Sequence, residues 1–544
     1  MKTTAKVTGL RYWMLRVLDE CDNVAADFSA DPVHDLRVTL RRCRSMADGM
    51  MAIDPDPAWK SMKKAGRQLF QRLGALRDVQ IMMEWIERLE LHLPKSAVTA
   101  ESLLVSEAQN PALEEREAPP GAVPIEDHDP AARALLQILR ARETQHKYEA
   151  RGALQEFDRK QWRHWSKTLP VRAARIRPGS TVFKHLALER WTTARELHSR
   201  AMRTRSQVAL HTLRIGIKRF RYIVENFLPD EHKLWSNDLK HMQDLLGEVH
   251  DLDVLWVTAL QSQVFPDEAL RKTWHQLITE ERSKRIDEYR KRTTGPDSLW
   301  NIWRAGLPQG KQVQEIATRR MKLWAKALDP DFAHSERVAR LSLQLYDGLL
   351  ATGVLRSSSH ATNGAGQDLR RSLYAAALLH DVGKAKGNKG HQKESLELIK
   401  RHGTLLGWNE AEMQRAGLVA RFHSGALPQR RQRLLQHLPP ADQRDVIHLA
   451  GILRLANAFD SAHDGHVRSL RIQNGTPAVN GRRRSGSLKK PAWISKNDAV
   501  IIAAEGYREG TTSAQAVAAE RYLLETVLRR PIIVRPAHMT RHTR

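Results

Sequence analysis

The chain has 544 residues, enough for several domains, and its hydrophobic content of 41% is sufficient for folded cores. Lysine and arginine exceed aspartate and glutamate by 26, so we expect a polyanionic partner: polyphosphate, nucleic acid or an anionic membrane surface. Two cysteines cannot form a disulfide framework, and neither an apolar leader nor an apolar run of about 18 residues is present, which argues for a cytoplasmic protein without a membrane span.

One cationic pattern occurs twice in the N-terminal half, at residues 34–44 and again at residues 211–221. Each copy is followed by a Leu-Gly motif, at residues 73–78 and 246–251. With 3.6 residues per turn, the basic residues of each copy form a stripe and the apolar residues lie on the opposite side. The repeat therefore predicts a duplicated unit of amphipathic helices.

A charged stripe is most often the solvated face of a surface helix. Here most cations of the stripe have no acidic partner at the i+4 position, so their like charges repel one another. The same arrangement also occurs in both copies. An anionic ligand that supplies the missing charge explains both observations.

The two copies resemble the two halves of a CHAD domain, and the resemblance covers most of residues 1–295. It implies two pseudo-symmetric four-helix bundles with inorganic polyphosphate bound in a basic channel between them. One departure is His250, which stands where the first half has Arg77, so the two halves need not bind the ligand equally. The residues that the resemblance assigns to polyphosphate are His34, Arg37, Arg41, Arg42, Arg44, His211, Arg214, Lys218, Arg219 and Arg221.

The remaining segments differ in composition. Residues 97–130 are acidic and rich in proline, which predicts a disordered loop between bundle helices. Turn-forming residues mark a linker at 296–312, and helical periodicity returns over 313–466. Alternating apolar residues then predict a small α/β tail over 467–544.

Histidine and aspartate residues of metal-ligand character occur in this second helical region. His380 and Asp381 are adjacent at the end of an apolar helix, where imidazole and carboxylate together suit Mn, Fe or Zn. A lone histidine is usually an ordinary imidazole, but the set as a whole indicates a metal site. The candidate ligands are His334, His380, Asp381, His391, His423 and Asp460.

These residues resemble the HD phosphohydrolases, above all the C-terminal HD region of the exopolyphosphatase and guanosine pentaphosphatase family. The resemblance implies one or two divalent ions (Mn, Fe or Mg), the first held by His334, His380, Asp381 and Asp460. His423 with His391, or with Glu394 in its place, would hold the second. It also implies that a bound ion activates water for attack on phosphorus, while Lys384, Arg421 and Arg454 neutralise phosphate charge.

Two departures from that family limit the comparison. The actin-like ATPase half of those enzymes is absent, so their best-known active site cannot be transferred. In addition, the chain has Gln392 and Glu394 where related HD domains have histidines, which weakens the assignment of a second ion.

The sequence thus predicts a mainly α protein: a CHAD-like domain, an all-helical HD domain and a small α/β tail. We expect it to bind polyphosphate and to hydrolyse polyphosphate, a phosphorylated nucleotide or another phosphoester. The alternative is a non-catalytic binding or sensor protein on polyphosphate granules with a degenerate HD domain. Nucleic acid is a weaker alternative, because the basic helices lack interleaved aromatic residues for base stacking.

Overall fold

Helices form most of the structure, and three short strands follow near the C-terminus, which confirms the expected mainly α fold with a small α/β tail. The structure, a computed structural model, describes residues 9–90, 129–355, 365–474 and 499–537. Within these ranges, no helix combines the length and apolar character that a membrane crossing requires. The chain divides into unit 1 (residues 1–52 and 56–309) and unit 2 (residues 53–55 and 310–544).

Unit 1 is built from two halves whose helices pack in the same order. In the first half α1 packs on α2, α2 on α4, and α4 on α5; in the second half α7 packs on α8, α8 on α9, and α9 on α10. The equivalent helices α2 and α8 contact each other, as do α4 and α9, in agreement with the expected pseudo-symmetric bundles. The helices are α1 (Leu10–Ala26), α2 (Ala30–Met51), α3 (Pro57–Ala65), α4 (Arg67–Glu90), α5 (Pro130–Glu156), α6 (Arg159–Ala173), α7 (Thr181–Thr204), α8 (Gln207–Phe227), α9 (Pro229–Gln261), α10 (Glu268–Thr293) and α11 (Leu299–Ala305).

The two repeats lie on α2 and α8, with their apolar faces in the core. Burial of each large apolar side chain contributes roughly 1.5–3 kcal/mol, so these faces fix how both helices are rotated. The helices approach closely: a Cβ atom at Gly49 would lie only 2.3 Å from the Phe227 ring. Nearby, Asn226 Nδ2 donates a hydrogen bond to Ser45 Oγ at 2.8 Å. The buried residues of the two faces are Leu36, Leu40, Cys43, Ala47, Met50, Leu213, Ile217, Phe220, Val224 and Phe227.

The start of α5 shows how the sequence sets a helix boundary. Asp129 caps the helix by accepting a hydrogen bond from the backbone N–H of Ala132 at 2.8 Å, and Pro130 follows it. Proline suits this position because the first helical N–H groups have no partner within the helix. Asp129 and Pro130 are the last residues of the expected acidic loop; its other residues, 97–128, lie outside the described residues.

Much of the expected linker at 296–312 is helix α11, which belongs to unit 1. Trp300 and Trp303 on this helix are fully buried, and the Trp303 ring lies 5.7 Å from the Phe220 ring. A Cβ atom at Gly306 would lie 2.6 Å from Trp235, so the chain leaves α11 in close contact with α9. The tryptophans therefore anchor α11, and the chain passes to unit 2 only after Gln309.

In unit 2 a helical part is followed by a three-stranded sheet with the order β1-β2-β3. Strand β2 pairs antiparallel with β1 and parallel with β3, and α18 makes the crossover between the two parallel strands. The elements are α12 (Lys311–Leu328), α13 (Phe332–Ala351), α14 (Ala365–Leu379), a short 3-10 helix η1 (Val382–Lys386), α15 (His391–His402), α16 (Glu410–Arg421), α17 (Pro440–Phe459), β1 (Ser469–Asn474), β2 (Val500–Glu505), α18 (Thr512–Leu528) and β3 (Ile532–Pro536).

The small α/β tail shares its core with the helices of unit 2. Helix α18 packs on α17, and a Cβ atom at Gly451 would contact Leu524 at 3.4 Å. Strand β1 packs on α13, where a Cβ atom at Gly348 would lie 2.5 Å from Ile472. These close approaches make the sheet and α18 part of the scaffold that carries the helical site.

We predict that Trp303→Ala destabilises the protein by about 3–5 kcal/mol, because removal of a buried indole leaves a cavity in unit 1. The matched control is Ile302→Ala on the same helix, where the side chain is 49% exposed. That control should change the free energy of unfolding by only about 0.5 kcal/mol. Chemical denaturation followed by circular dichroism measures both, and equal effects would refute the anchoring role of α11.

Candidate functional site

The His380-Asp381 pair of unit 2 lies at a sharp change of direction. Helix α14 ends at Leu379, the pair follows, and η1 begins at Val382. A Cβ atom at Gly383 would lie 2.0 Å from the backbone oxygen of His391, so only glycine permits this approach of η1 to α15. Ser395 Oγ closes the junction: it accepts from the Gly383 N–H at 2.9 Å and donates to the His380 carbonyl at 2.7 Å. This packing brings the first turn of α15 to Asp381.

Asp381 is the centre of the site. Its side chain is almost fully buried, and three histidines approach its two carboxylate oxygens. Oδ1 lies 3.2 Å from His391 Nε2 and 3.7 Å from His423 Nε2. Oδ2 lies 3.3 Å from His380 Nε2 and accepts a hydrogen bond from Lys384 Nζ at 2.6 Å. The carboxylate therefore lies between two groups of imidazoles.

The backbone fixes the tautomer of each of these three histidines. In every case Nδ1 lies within hydrogen-bond distance of a carbonyl oxygen, which can only accept, so Nδ1 carries a proton. A ring that is neutral then presents an Nε2 lone pair to the site, and a ring that is also protonated at Nε2 donates to Asp381. The Nδ1 bonds are His380 to Ala377 at 2.8 Å, His391 to Asn388 at 2.8 Å and His423 to Ala420 at 2.7 Å.

Facing lone pairs of this kind need a positive charge between them. His391 Nε2 and His423 Nε2 are only 3.1 Å apart, which requires a shared proton or a cation. His380 Nε2 is buried and has no hydrogen-bond partner within the described residues. A buried nitrogen left without a partner is costly unless it binds something. The donor set therefore fits a divalent cation.

Electrostatics at the site support the same conclusion. Burial alone would raise the pKa of Asp381, but the neighbouring His380 and His391 hold that pKa well below its usual range. The hydrogen bond to Asp381 raises the pKa of His391, while burial lowers the pKa of His423 well below its usual value. The carboxylate is thus ionised and His423 is neutral, the protonation states that metal binding requires.

Two groups of potential ligands share Asp381. His334, His380 and Asp381 form one group, and Asp381, His391 and His423 form the other; within each group the ligand atoms lie within 4.8 Å of one another. Either His391 or Glu394 was predicted to join His423 in the second group, and the structure brings His391 to Asp381. Glu394 is partly exposed and pairs with Lys386 at 2.5 Å instead.

Asp460 lies beside the first group and is engaged in hydrogen bonds. His334 Nδ1 is 2.7 Å from Asp460 Oδ2, and Arg337 Nε donates to the same oxygen at 2.8 Å. The other oxygen accepts from the Gly465 N–H at 3.1 Å. Its buried carboxylate is therefore satisfied by hydrogen bonds and orients His334, while its role as a metal ligand stays a prediction.

The three basic residues predicted to contact phosphate have different surroundings. Lys384 donates to Asp381 and is partly exposed. Arg421 has a buried Nη1 without a hydrogen-bond acceptor in the described part of the chain, and burial lowers its pKa. Arg454 is buried and donates four hydrogen bonds, two to Glu520 at 2.7 and 3.4 Å, one to the Phe422 carbonyl at 3.0 Å and one to the Gly425 carbonyl at 3.1 Å. These contacts hold the loop that carries His423.

Sequence reasoning missed three residues around His334. Arg337 contacts Asp460, Asn457 Oδ1 lies 2.9 Å from His334 Nε2, and His463 stacks on the His334 ring at 3.9 Å. Asn457 precedes Asp460 by three positions, which places both near the same helix face. That spacing was a usable signal. His463, which follows the end of α17, lies in the stretch that resembles the HD phosphohydrolases, but the pattern assigned it no role.

In unit 1 the glycine of each Leu-Gly motif faces an arginine of the repeat. A Cβ atom at Gly74 would lie 3.1 Å from Arg37 Nη1, which donates to the Leu73 carbonyl at 2.9 Å. At the equivalent position in the second half, a Cβ atom at Gly247 would lie 4.0 Å from Arg214 Nε, an ordinary van der Waals distance. The glycine is therefore in tight contact with its arginine only in the first half.

Charged residues of both halves meet between α2, α4, α8 and α9. Burial lowers the pKa of Arg37, and the charges of Arg41, Arg77 and Arg214 lower it further. Burial likewise lowers the pKa of Lys218 to about 7, with added effects from Arg214 and Arg41. We call Arg37, Arg41, Arg77, Arg214 and Lys218, together with Asp78 and Asp251, the central cluster.

Asp78 and Asp251 partly neutralise the positive charge of the central cluster. Asp78 raises the pKa of Arg37, and Asp251 raises that of Lys218, each against the larger effect of burial. Burial and the proximity of Asp78 raise the pKa of Asp251 to about 6, although Arg214 and Lys218 oppose the shift. With Glu84, which pairs with Arg77 at 2.8 Å, five basic residues therefore face three acids, and the cluster keeps a positive excess.

The other predicted contacts of unit 1 have different surroundings. Arg44 lies over the Phe70 ring at 4.8 Å, with a buried Nη1 that has no acceptor within the described chain. Arg42 lies over the Trp13 ring at 4.2 Å and pairs with Glu225, which is also 3.9 Å from Arg221. Arg219 is exposed, at the groove between α7 and α8. His34 is exposed and has Arg77 and Arg41 as charged neighbours.

Comparison with known families gives one match in each of the two units. The family model of the CHAD domain matches residues 14–260, and that of the Ppx/GppA phosphatase, domain III, matches residues 316–480. Residues 14–260 thus match a CHAD domain, and residues 316–480 match a Ppx/GppA domain III. This confirms the fusion that the motifs predicted, and the two domains indicate phosphatase activity related to polyphosphate. No curated protein matches the chain at a significant level.

The close contact at Gly383 gives a prediction for the junction of the Ppx/GppA domain III. Gly383→Ala should destabilise the protein by about 1–3 kcal/mol, since the methyl group meets backbone atoms that cannot move aside. It should also weaken Mn²⁺ binding, because α15 carries His391. Ser395→Ala adds no volume but leaves the Gly383 N–H and the His380 carbonyl without their hydrogen bonds, so it should destabilise the protein by a comparable amount, about 1–3 kcal/mol.

Gly152→Ala is the control, because a Cβ atom there meets nothing within 4 Å and the residue lies inside helix α5. This change should stabilise the protein by up to about 1 kcal/mol. Chemical denaturation and a Mn²⁺ titration measure the effects. Full Mn²⁺ binding in Gly383→Ala would show that the position of α15 does not matter for the site.

Proposed function

We propose that unit 2 is a metal-dependent phosphohydrolase of the HD type and that unit 1 binds inorganic polyphosphate. The observation that carries the first part is the convergence of three imidazole Nε2 atoms on the buried carboxylate of Asp381. A protein that only needed a stable fold at this point would gain nothing from packing unprotonated nitrogens against a carboxylate. The arrangement is explained if divalent cations complete it.

The residues present suit one or two divalent ions, for which we propose Mn, Fe or Mg. His334, His380 and Asp381 would hold the first ion, with Asp460 orienting His334 or joining the ligands. Asp381, His391 and His423 would hold the second. Such ions supply Lewis acidity, which activates water and polarises a P–O bond. The backbone carbonyls that fix three Nδ1 protons keep the ligand nitrogens aimed at the site.

Basic residues around the ligands would bind the phosphate. Lys384 already reaches Asp381, so its ammonium group is within range of a phosphate bound at that carboxylate. Arg421 offers a buried N–H without an acceptor within the described residues, close in sequence to His423. Fixed donors of this kind stabilise the charge that develops during phosphoryl transfer. Arg454 would act by holding the His423 loop, because its donors are already used.

Polyphosphate binding by unit 1 is supported by the positive excess of the central cluster and by unused donors. Arg77 and Arg214 each bury an Nε–H without an acceptor in the described part of the chain, and Arg44 buries an Nη1 in the same state. Guanidinium groups form short, charge-assisted hydrogen bonds with phosphate oxygens. A linear polymer of phosphates can satisfy donors from both halves at once.

The substrate of unit 2 would be a phosphoanhydride or phosphoester, either polyphosphate or a phosphorylated nucleotide. The alternative is a non-catalytic polyphosphate sensor or granule-binding protein. One observation favours it: Glu394 pairs with Lys386 where related HD domains have a histidine, so the second group has one ligand fewer. Hydrolysis of a panel of phosphate compounds, with and without added Mn²⁺, distinguishes an enzyme from a binder.

The first test concerns unit 1. Replacing Arg37, Arg41, Arg214 and Lys218 together with Ala should abolish polyphosphate binding and leave the circular dichroism helical. The reason is that these four cations come from both halves and form most of the positive charge of the central cluster. Binding by the native protein should weaken steeply with salt, by analogy with counterion release from nucleic acids.

A charge-matched control replaces four exposed basic residues outside the repeats, Lys160, Arg200, Arg203 and Lys272, with Ala. It lowers the net charge by the same amount and should retain most of the affinity. Equal losses in the two variants would mean that polyphosphate responds to overall charge and that the central cluster is not its site.

The second test concerns unit 2. Asp381→Ala should remove bound metal and phosphohydrolase activity without changing polyphosphate binding, because this carboxylate is shared by both ligand groups. Glu394→Gln is the control, since Glu394 is a nearby carboxylate outside both groups and pairs with Lys386. Metal analysis of the purified variants measures the effect. A variant of Asp381 that keeps both metal and turnover would refute the HD assignment.

A further inference from the structure

The two halves of unit 1 differ at one position of the repeated motif. The first half has Arg77, whose charge lowers the pKa of His34 and whose guanidinium donates to Glu84 at 2.8 Å, and the second half has His250 beside His211. His211 Nδ1 lies 3.3 Å from His250 Nδ1, and the two ring centroids are 4.6 Å apart. A guanidinium–imidazole pair in one half is therefore replaced by an imidazole–imidazole pair in the other.

The contact between the two Nδ1 atoms restricts how the pair can be protonated. A hydrogen bond between them requires a proton on one Nδ1 and a lone pair on the other. In the neutral pair, each ring then carries one proton. One further proton gives the pair a single positive charge and leaves this hydrogen bond intact. The pair can thus switch between zero and one charge without rearrangement.

The surroundings keep the pair neutral when no anion is present. Burial and the charge of Arg214 lower the pKa of His250 to about 4, and the same causes lower the pKa of His211. Lys218 acts in the same direction on both rings. The charged groups that face this region from α8, α9, α2 and α4 are Arg214, Lys218, Asp251, Glu248, Arg41, Arg37 and Asp78. Glu248 is paired with Arg285 at 2.5 Å.

We propose that His211 and His250 form a proton-coupled phosphate site in the second half of the CHAD domain. The pair is neutral in the free protein and takes up a proton when polyphosphate binds beside it. The proposal rests on polyphosphate binding by unit 1. The first half, by contrast, contacts the ligand with guanidinium groups that stay charged at every physiological pH.

The sign of the pH dependence follows from linkage. A phosphate next to the pair favours its charged form, so binding raises the pKa of the imidazoles. Binding then consumes a proton, and affinity must rise as the pH falls. Two neighbours also take up protons as the pH falls. Lys218, with a pKa of about 7, becomes positively charged, and Asp251, with a pKa of about 6, loses its negative charge. The effect of the pair must therefore be isolated by substitution.

The test compares the full-length native protein with two reciprocal variants, His250→Arg and Arg77→His. Affinity for long-chain polyphosphate, whose internal phosphates stay ionised, is measured from pH 8 to pH 6 at constant ionic strength. Calorimetry in buffers of different ionisation enthalpy gives the number of protons taken up on binding. One coupled proton changes the affinity by at most about tenfold per pH unit.

We expect His250→Arg to bind with fewer protons taken up and a shallower dependence on pH, because arginine is charged before the ligand arrives. Arg77→His should show the opposite, with more protons taken up and a steeper dependence. His250→Gln keeps the size of the side chain without the charge, and it should lose the coupling without gaining affinity at pH 8. Circular dichroism verifies that each variant is folded.

An unchanged proton count and an unchanged slope in His250→Arg would overturn the proton coupling while leaving polyphosphate binding intact. A native protein that binds no polyphosphate at any pH would overturn the proposed function of unit 1 and this inference with it. The native protein binds polyphosphate in the first case and does not bind it in the second. The two failures can therefore be told apart.

Discussion

Both units depend on the same constraint. The packing of apolar helix faces holds polar groups close together although these groups repel one another. In unit 2 the Nε2 atoms of His380, His391 and His423 surround an ionised carboxylate. In unit 1 guanidinium groups from α2, α4 and α8 meet, and their charges disfavour one another. Arrangements of this kind lower stability unless a partner of opposite character is bound. The buried apolar faces of the helices supply the free energy that keeps the groups in place.

Close backbone approaches explain how such groups are brought together. Gly383 lets η1 contact the start of α15, and without that contact His391 would not reach Asp381. Gly74 gives the same kind of access to Arg37, whose guanidinium bonds the preceding carbonyl. In each case the glycine is adjacent in sequence to a functional motif. A side chain there would push the functional group away by about the width of a methyl group, which is enough to separate ligands that must lie within hydrogen-bond distance.

Features that follow a periodic pattern or a motif could be predicted from the sequence. Features that depend on contacts between residues far apart in the chain could not. The apolar faces of α2 and α8 were predictable because burial follows the 3.6-residue repeat, and Asp381 because it is adjacent to His380 at a helix end. The surroundings of Arg454 could not be predicted, since Glu520 is 66 positions away and the carbonyls it bonds belong to a loop. The compensation of the cationic stripes was missed for the same reason. For Arg37 it comes from Asp78 on another helix, and only the last cations of the stripes, Arg44 and Arg221, have acidic neighbours at i+4, Asp48 and Glu225.

The unequal halves of unit 1 are consistent with the work of a phosphatase on a polymer. Permanent guanidinium charges give affinity at any pH, but a polymer held only by such charges dissociates slowly, since tighter binding mostly lowers the dissociation rate. An enzyme that shortens a chain must release it or let it advance. On the proposed proton coupling, His211, His250 and Lys218 gain charge when phosphate is beside them, so they add attraction where the ligand is and lose it when the ligand leaves. A duplicated domain can combine both properties, because one copy keeps its arginine while the other exchanges it for histidine.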